Sequence, residues 1–545
     1  PWIENGYFNV ASPTSKSATY TFTLGGTSRF SAAIDLPNHC RTPLVSGTVL
    51  SHWLASDPGV RPTHDAAYLQ ATELVPTYFG TVAPSAAAVT GLPSTFAPLQ
   101  QGGYPASMGS AGYDPSIGLL PEWDVLALTT TATTVWAAIQ RNAYSAGRYG
   151  IHHRDETTNR VPCFSSYPTT VLGDGTGISS TGSSSTSTFT PTATGTAPAD
   201  FAPSHMPSMG FMAYLVTGRW YHMETAQFVA TANHFRSSTA PREDASGILQ
   251  TWSATSTRGA AWGLRALAQA LCITPDSDTT IRTELLNAYT ANISRHHATY
   301  VAASNGAMGF MQPYTNYTAP VYQNAGAGST STSIVLPGGT SSTTGEYAKV
   351  FANGGRWTIT IGGETRNVTA WDGPSFTATV SPAFTVTTAG QASILRSNHW
   401  FEASWQQDFY TAALGYTKCL GLPLDGTTHT KLTEFFEWKA KSVVGRFGGT
   451  GATEYLYRDA AAYEFPVAEN DSTWANTYTD WGKVWTDSEL QNARGSNVLG
   501  DGSLRGATTD LSSYWGNLLP ALAYAVRHGA MGAAEARALL MSAPN

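Results

Sequence analysis

Segments with helical periodicity recur in pairs along the chain, and a short turn joins the members of each pair. Residues 209–235 read as a helix, a Thr-Gly corner and a second helix. The same plan returns at 256–302, 400–444 and 511–541, where Pro520 is expected to kink the helix. Such helical hairpins are the repeating unit of toroids and solenoids. The pattern predicts a mainly α protein, an (α/α) toroid or incomplete barrel of helical hairpins.

Two stretches interrupt this pattern with alternating polar and apolar residues. TYTFTLGG (19–26) and RFSAAIDL (29–36) predict a β-rich N-terminal region. Residues 322–396 alternate between glycine turns and predict a small inserted β domain, peripheral to any chemistry. The expected domains are therefore a β-rich region at 1–60, a first toroid part at 61–321, the β module at 322–396 and a second toroid part at 397–545.

The composition limits what the chain can bind and where it works. Charged residues make up 12% of the 545 residues, against about 25% in typical globular domains, so Ser, Thr, Gly and Asn must cover much of the surface. Such a surface is common outside the cell, which favours a secreted, periplasmic, cell-surface or virion-surface protein. The net charge of −7 argues against nucleic-acid binding, and no apolar run is long enough for a membrane span.

The four cysteines lie more than a hundred residues apart, so zinc-ribbon spacing is absent. Free thiols are the expected state, and one long-range disulfide is the alternative. Nucleotide-binding glycine loops, the HExxH zinc motif and the GxSxG nucleophile elbow are also missing. No metal and no cofactor are expected.

The candidate site residues fall in four polar clusters near predicted helix starts. A cleft at the end of a ring of hairpins gathers such starts, and some of the 16 Trp and 25 Tyr could stack there on sugar rings. For each histidine or tryptophan alone, a structural role is the competing interpretation. The clusters are Tyr149, His152 and Arg154 in RYGIHHRDE; His205 in PSHMPSMGF; Arg258, Trp262 and Arg265 in STRGAAWGLR; and Asn398, His399, Glu402 and Trp405 in SNHWFEASW.

The fourth cluster is predicted to open a helix. This helix would carry an apolar line at i, i+4 and i+8, formed by Phe401, Trp405 and Phe409. It would also carry a polar line at i, i+3 and i+7, formed by His399, Glu402 and Gln406. Asn398 and His399 would stand at the helix N-terminus, where backbone dipoles favour an anion.

A basic and amide-rich site in an acidic protein suits a polyanion such as a uronic-acid polysaccharide. In β-elimination, an Asn, Arg or His neutralises the carboxylate, a His or Tyr removes the C5 proton, and a Tyr protonates the leaving oxygen. The helical body, roughly 122–320 and 397–541, with these clusters resembles the (α/α)-toroid polysaccharide lyases. The resemblance implies Asn398 as neutraliser, His399 as base and Arg258 as the arginine, with His205 and Tyr149 as further catalytic candidates. His152, Arg154, Trp262, Arg265, Trp405 and Glu402 would bind the polysaccharide.

Two other functions stay open. A glycoside hydrolase on the same toroid would need a carboxylate pair, with candidates among Glu122, Asp124, Asp155, Glu402, Asp408 and Asp459. A non-catalytic glycan-binding surface or phage-tail-like protein would show no convergent polar cluster. The lyase interpretation predicts that His205, Arg258 and His399 converge in one cleft.

Overall fold

A computed structural model describes the chain except at residues 61–64, 79–84, 106–116, 131, 173–186, 238, 250–255, 312–320, 338–356, 373, 398, 449–454, 462–463, 470–476, 488–514 and 544–545. It has 41% helix and 18% strand, and it contains a curled antiparallel half-barrel of six strands. The protein is therefore mixed α/β, and the mainly α toroid predicted from the hairpins is wrong. The helical pattern was read correctly in several places, but it was extended over segments that pair as strands.

The described strands are β1 (Trp2–Glu4), β2 (Lys16–Leu24), β3 (Thr27–Leu36), β4 (Arg41–Pro43), β5 (Thr170–Val171), β6 (Thr188–Phe189), β7 (Val321–Asn324), β8 (Ser333–Val335), β9 (Trp357–Ile361), β10 (Glu364–Asp372), β11 (Thr377–Ser381), β12 (Ala392–Ser397), β13 (His399–Ala403) and β14 (Glu464–Glu469). The described helices are α1 (Ala66–Ala71), α2 (Ala86–Thr90), α3 (Glu122–Ala127), α4 (Thr133–Ser145), α5 (Phe211–Thr217), α6 (Trp220–Phe235), α7 (Ser256–Ile273), α8 (Thr279–His296), α9 (Ser404–Thr417), α10 (Gly426–Val444), α11 (Trp481–Asp487), α12 (Trp515–Arg527) and α13 (Ala533–Met541). No helix in these described ranges is long and apolar enough to cross a membrane.

The chain divides into two compact units, and each unit is built from two stretches of sequence. The first unit comprises Pro1–Ala298 and Phe409–Phe436. The second comprises Thr299–Asp408 and Glu437–Asn545.

The first unit combines short β pairs with packed helices. β1 pairs with β4 and β2 pairs with β3, both antiparallel. A core of buried aliphatic and aromatic side chains joins α4, α5 and α6, and it includes Val135, Ile139, Phe211 and Met223. The helices α3 and α4 are separated by a Thr-rich stretch, whose residues are poor helix formers. All four cysteines are free thiols, as expected.

The first unit is closely packed around Gly147. A Cβ added to Gly147 would collide with the carbonyl oxygen of Arg41 and lie 2.9 Å from the hydroxyl of Tyr221. We expect Gly147→Ala to lower the free energy of unfolding by about 1–3 kcal/mol, because backbone must shift to admit the methyl group. Chemical denaturation measures the loss. Gly426→Ala is the control, since nothing lies within 4 Å of its added Cβ at the start of α10; an equal loss in both variants would contradict the packing argument.

The second unit contains the six-stranded sheet, with strand order β7-β12-β9-β10-β11-β8. All its described neighbours pair antiparallel. Alternate residues of its strands point into one core, as the period of two requires: Ile359 and Ile361 from β9, Val368 from β10, Val380 from β11 and Leu395 from β12.

The residues expected to open a helix at His399 form a strand instead. β13 pairs antiparallel with β14, so His399 lies opposite Glu469 in backbone register, and the helix α9 begins only at Ser404. The predicted apolar and polar lines therefore do not lie on one helix. Pairing with a segment more than sixty residues away overrode the local helical spacing, and β-pairing of this kind depends on context.

A buried ion pair in the second unit joins Asp408 of α9 to Arg446, which follows the end of α10. Asp408 and Arg446 are both fully buried, and the two guanidinium Nη atoms donate to the two carboxylate oxygens, one bond measuring 3.2 Å. The nearby ammonium of Lys439 is also buried and donates to the Gly309 carbonyl at 3.0 Å and to Ser442 Oγ at 2.9 Å. Burial lowers the pKa of Lys439 to about 7.

Candidate functional site

A cleft of about 620 Å³ opens in the first unit, within the size range of small-molecule sites. Three aromatic side chains line it and remain 41%, 45% and 43% exposed: Trp2, Tyr7 and Trp220. Large aromatic rings are mostly buried in folded proteins, so three half-exposed rings around one cavity form a distinctive surface. We call this cavity the aromatic cleft. Its polar lining residues are Glu4, Asn5, Thr14, Lys16, Asn38, Arg154, Asn159, Arg160 and Glu224.

Three segments of the chain place Glu4, Glu224 and Arg154 in the aromatic cleft. The antiparallel pairing of β1 with β4 sets Glu4 directly opposite Arg41. Helix α6 begins at Trp220, and Glu224 follows one turn later on the same face. The loop that carries Arg154 is held against the N-terminal segment, because its backbone N–H donates to the Gly6 carbonyl at 2.7 Å.

Glycine is required at position 6, where these segments meet. A Cβ added to Gly6 would lie 2.5 Å from Glu4 Oε1 and 2.8 Å from the carbonyl oxygen of His152. The missing side chain thus allows the Glu4 carboxylate to fold over the backbone toward Arg154.

The guanidinium of Arg154 uses all five of its N–H donors on protein acceptors. Nε and Nη2 bind the two oxygens of Glu4, the latter at 2.9 Å. Nη1 and Nη2 bind the two oxygens of Glu224 at 3.0 and 2.8 Å. The second hydrogen of Nη1 goes to the carbonyl of Asn159 at 2.6 Å. A guanidinium offers five donors in total, so Arg154 has none left for a ligand.

A second arginine contacts the carboxylates of Glu4 and Glu224 from the buried side. Arg41 is fully buried, and its Nη1 lies 2.7 Å from Glu224 Oε2 and 3.5 Å from Glu4 Oε2. Its Nη2 donates to α6, to the Tyr221 carbonyl at 2.5 Å and to Thr225 Oγ1 at 2.6 Å. Two carboxylates and two guanidinium groups therefore form one charge-balanced network at the wall of the cleft.

The network favours the ionised form of Glu224. Burial acts to raise the pKa of Glu224, but hydrogen bonds from Arg154 and the charges of Arg41 and Arg154 outweigh it and hold that pKa below its usual value. Burial likewise acts to lower the pKa of Arg154, and the hydrogen bonds and charges of Glu4 and Glu224 outweigh it and raise that pKa. The carboxylate oxygens of Glu4 and Glu224 are thus held in place by the guanidinium groups of Arg41 and Arg154.

Of the first predicted cluster, one residue lines the aromatic cleft. Arg154 does so, but with both carboxylates bound to it. Tyr149 is fully buried and donates its hydroxyl to the Pro105 carbonyl at 2.5 Å, which leaves it no access to a substrate. His152 is also fully buried, with Nδ1 at 3.3 Å from the carbonyls of His39 and Tyr149.

The residues predicted on α7 and before α5 lie around one packed contact. A 3₁₀ turn at Pro203–His205 packs against α7, and His205 is 5% exposed. Arg265 is buried and donates to the carbonyls of Gly118 and of Met206, the latter at 2.7 Å. Trp262 is 1% exposed and packs on Phe409 with ring centroids 4.3 Å apart, and Arg258 is partly exposed in the first turn of α7. Trp262 and Arg265 are thus core residues, because both are buried against ring or backbone partners.

The fourth cluster belongs to the second unit. Asn398 lies outside the described residues, and the backbone of His399 begins strand β13. Glu402 is fully buried and Trp405 is 3% exposed, so neither offers a surface to a polysaccharide. The convergence of His205, Arg258 and His399 stays a prediction.

Sequence reasoning missed Glu4, Glu224, Trp2 and Trp220 as site residues. One signal was available for Glu224. The helix WYHMETAQFVATANHF has no continuous polar face, and a carboxylate inside such a helix requires a buried cation. Glu4 gave no comparable signal, because its role depends on strand pairing with the segment that carries Arg41.

Comparisons with known proteins add no relative: no family model, no curated protein and no solved structure matches this chain.

Proposed function

We propose that the chain binds a polysaccharide in the aromatic cleft. The observation that carries this proposal is the set of three half-exposed aromatic rings around one cavity whose polar lining residues are mostly amides and charged side chains. A sugar ring has an apolar C–H face that stacks on aromatic rings and a rim of hydroxyls that bonds to planar polar side chains. The sparsely charged, hydroxyl-rich composition supports a setting outside the cell or on a cell or virion surface.

Trp220 is the residue through which the proposal is tested first. We expect Trp220→Ala to weaken polysaccharide affinity by about tenfold, since an exposed stacking ring contributes on the order of 1.4 kcal/mol. Affinity electrophoresis through gels containing each polysaccharide measures the change. Tyr68→Ala is the matched control, because Tyr68 is 68% exposed on α1 and does not line the cleft. Equal retardation of both variants and the unmodified protein would contradict binding at this cleft.

A retaining glycoside hydrolase is the second candidate, and the spacing of two carboxylates favours it. Glu4 Oε2 and Glu224 Oε2 lie 2.9 and 2.8 Å from the same Arg154 Nη2, so they are less than about 6 Å apart, near the separation in retaining enzymes. Against it, one of the two must carry a proton to act as general acid, and the arginines favour the ionised form of Glu224.

The elimination reaction expected from the sequence is a third outcome that the same samples can report. Incubation with a panel of polysaccharides is followed by ultraviolet absorbance, which detects the alkene left by elimination, and by assay of new reducing ends. Absorbance with new ends assigns a lyase, and new ends without absorbance assign a hydrolase. Retardation in gels with neither signal supports a binding protein.

A further inference from the structure

The chemical class of the ligand follows from which groups of the aromatic cleft still have capacity to bind. An arginine with free N–H groups is a favoured partner for a sugar carboxylate, because its two parallel N–H groups bind both carboxylate oxygens. The central arginine of this cleft is Arg154, and its five N–H groups are all bound to Glu4, Glu224 and the Asn159 carbonyl. A uronate could reach Arg154 only by displacing one of these acceptors.

The carboxylates, in contrast, still have capacity to accept hydrogen bonds. An ionised carboxylate has about four lone-pair positions. Glu4 Oε1 accepts one bond from Arg154 Nε, and Glu224 Oε1 accepts one from Nη1. The Glu4 side chain is 10% exposed and lines the cavity. Its free lone pairs suit hydroxyl donors, which sugars provide in abundance.

The neighbouring groups of the cleft fit the same ligand. Asn38 is 3% exposed and lines the cavity, and its amide nitrogen makes no hydrogen bond within the part of the chain that the structure describes. This buried donor suits a hydroxyl or ring oxygen. Arg160 is paired with Asp278 and stacks its guanidinium over Trp220 at 5.0 Å. Lys16 also lines the cavity, so a uronate would have to pair with Lys16 or with Arg160 rather than with the central guanidinium of Arg154.

We propose that the aromatic cleft selects a neutral, hydroxyl-rich polysaccharide and disfavours its uronate counterpart. Arg154 and Arg41 act as positioning residues that hold Glu4 and Glu224 as hydroxyl acceptors. The ligand contributes C–H faces to Trp2, Tyr7 and Trp220 and hydroxyl hydrogens to the carboxylates. This inference rests on the proposed binding function and replaces the uronic-acid substrate expected from the sequence.

The test compares pairs of polymers that share their glycosidic linkage and differ in the charge at C6: mannan with mannuronate-rich alginate, and fully methyl-esterified polygalacturonate with polygalacturonate. Calorimetric titration of the full chain at low ionic strength gives both affinities. We expect the neutral member of at least one pair to bind about tenfold more tightly than its uronate, because Arg154 has no free donor for the sugar carboxylate, whereas Glu4 and Asn38 can bind hydroxyls. Equal or tighter uronate binding would overturn the inference and leave the binding function standing. If Trp220→Ala leaves all binding unchanged, or no polymer in a wider panel binds, the binding function fails and this inference with it.

Glu4→Gln separates selectivity from simple loss of structure. The amide removes one negative charge and releases one Arg154 donor, so the neutral-to-uronate affinity ratio is expected to fall about fivefold, with the uronate affinity itself rising. An equal decrease for both polymers would assign Glu4 a structural role and overturn the mechanism of selection. Lys16→Gln is the companion variant, because it removes a cation from the lining and is expected to widen the ratio by weakening uronate binding more than neutral binding. Melting curves show that each variant is folded.

Discussion

The first unit is expected to lose stability steeply as the pH falls below about 6.5, the ordinary pKa of histidine. Five of the histidines buried there at 5% exposure or less carry this expectation: His152, His153, His222, His234 and His296. Burial lowers the pKa of each one, to about 3 for His234 and His296 and well below the usual value for the others. All five therefore stay neutral in the folded protein at neutral and mildly acidic pH.

Unfolding exposes these rings, and each then binds a proton near pH 6.5 that the folded chain does not bind. Stability is lost wherever the unfolded state binds more protons as pH falls. The contribution is fully present above about pH 6.5 and decreases by about 1.4 kcal/mol per pH unit for each ring on the acid side. Five rings acting together exceed the total stability of a typical domain, about 5–15 kcal/mol, within a few pH units.

The measurement is the midpoint of chemical unfolding at a series of pH values from 7.5 downward. Carboxylates titrate near pH 4, so a decrease that begins near 6.5 identifies the histidines. His222 is the ring to replace, since it stacks on Tyr144 at 5.2 Å and phenylalanine preserves that contact. His222→Phe is expected to reduce the pH slope by about one fifth, and His429→Phe, at an exposed ring on α10, to leave it unchanged. A flat midpoint between pH 7 and 5.5 would contradict this account.

Asp408→Ala is expected to lower the free energy of unfolding of the second unit by about 3–5 kcal/mol. The change leaves the fully buried guanidinium of Arg446 without its carboxylate, and an uncompensated buried charge is far more costly than an exposed one. Arg446 keeps its bonds to the carbonyls of Ala460 and Ser442, at 2.8 and 2.9 Å, but these are neutral acceptors.

A double-mutant cycle distinguishes the ion pair from general damage to packing. Arg446→Met removes the partner charge, and the double variant Asp408→Ala with Arg446→Met is expected to be less destabilised than the sum of the two single variants. Chemical denaturation provides all four values. Strict additivity, or a single-variant loss below about 1 kcal/mol, would show that the pair contributes little.

Local patterns predicted the elements whose partners are near in sequence. The strands β2 and β3 form a hairpin across Gly25 and Gly26, which have φ of 60° and 77°. The helices α5 and α6 meet at Gly218, with φ of 64°, at the predicted Thr-Gly corner. In each case the turn residue and the periodicity on both sides lie within a few dozen residues, so one sequence carries the whole signal.

Pairings between distant segments escaped the same reasoning. HWFEA has helical spacing with the residues after it, yet it pairs with β14 as a strand. The aromatic cleft shows the same limit, because Glu4, Arg154 and Glu224 come from three segments separated by up to about 220 residues and no local pattern shows which charges pair. Arg154 was identified from its charged cluster, but its two carboxylate partners could be found only from coordinates.

The division of each unit into two stretches of sequence has a consequence for synthesis of the chain. The first unit needs Phe409–Phe436 to be complete, and the first stretch of the second unit, Thr299–Asp408, is made before that. On the ribosome, residues 1–298 must therefore wait, with part of their apolar surface uncovered, while more than a hundred further residues are translated. A fragment that ends near residue 298 is expected to recruit chaperones or aggregate, and co-expression of 409–436 as a separate peptide is expected to relieve this in part.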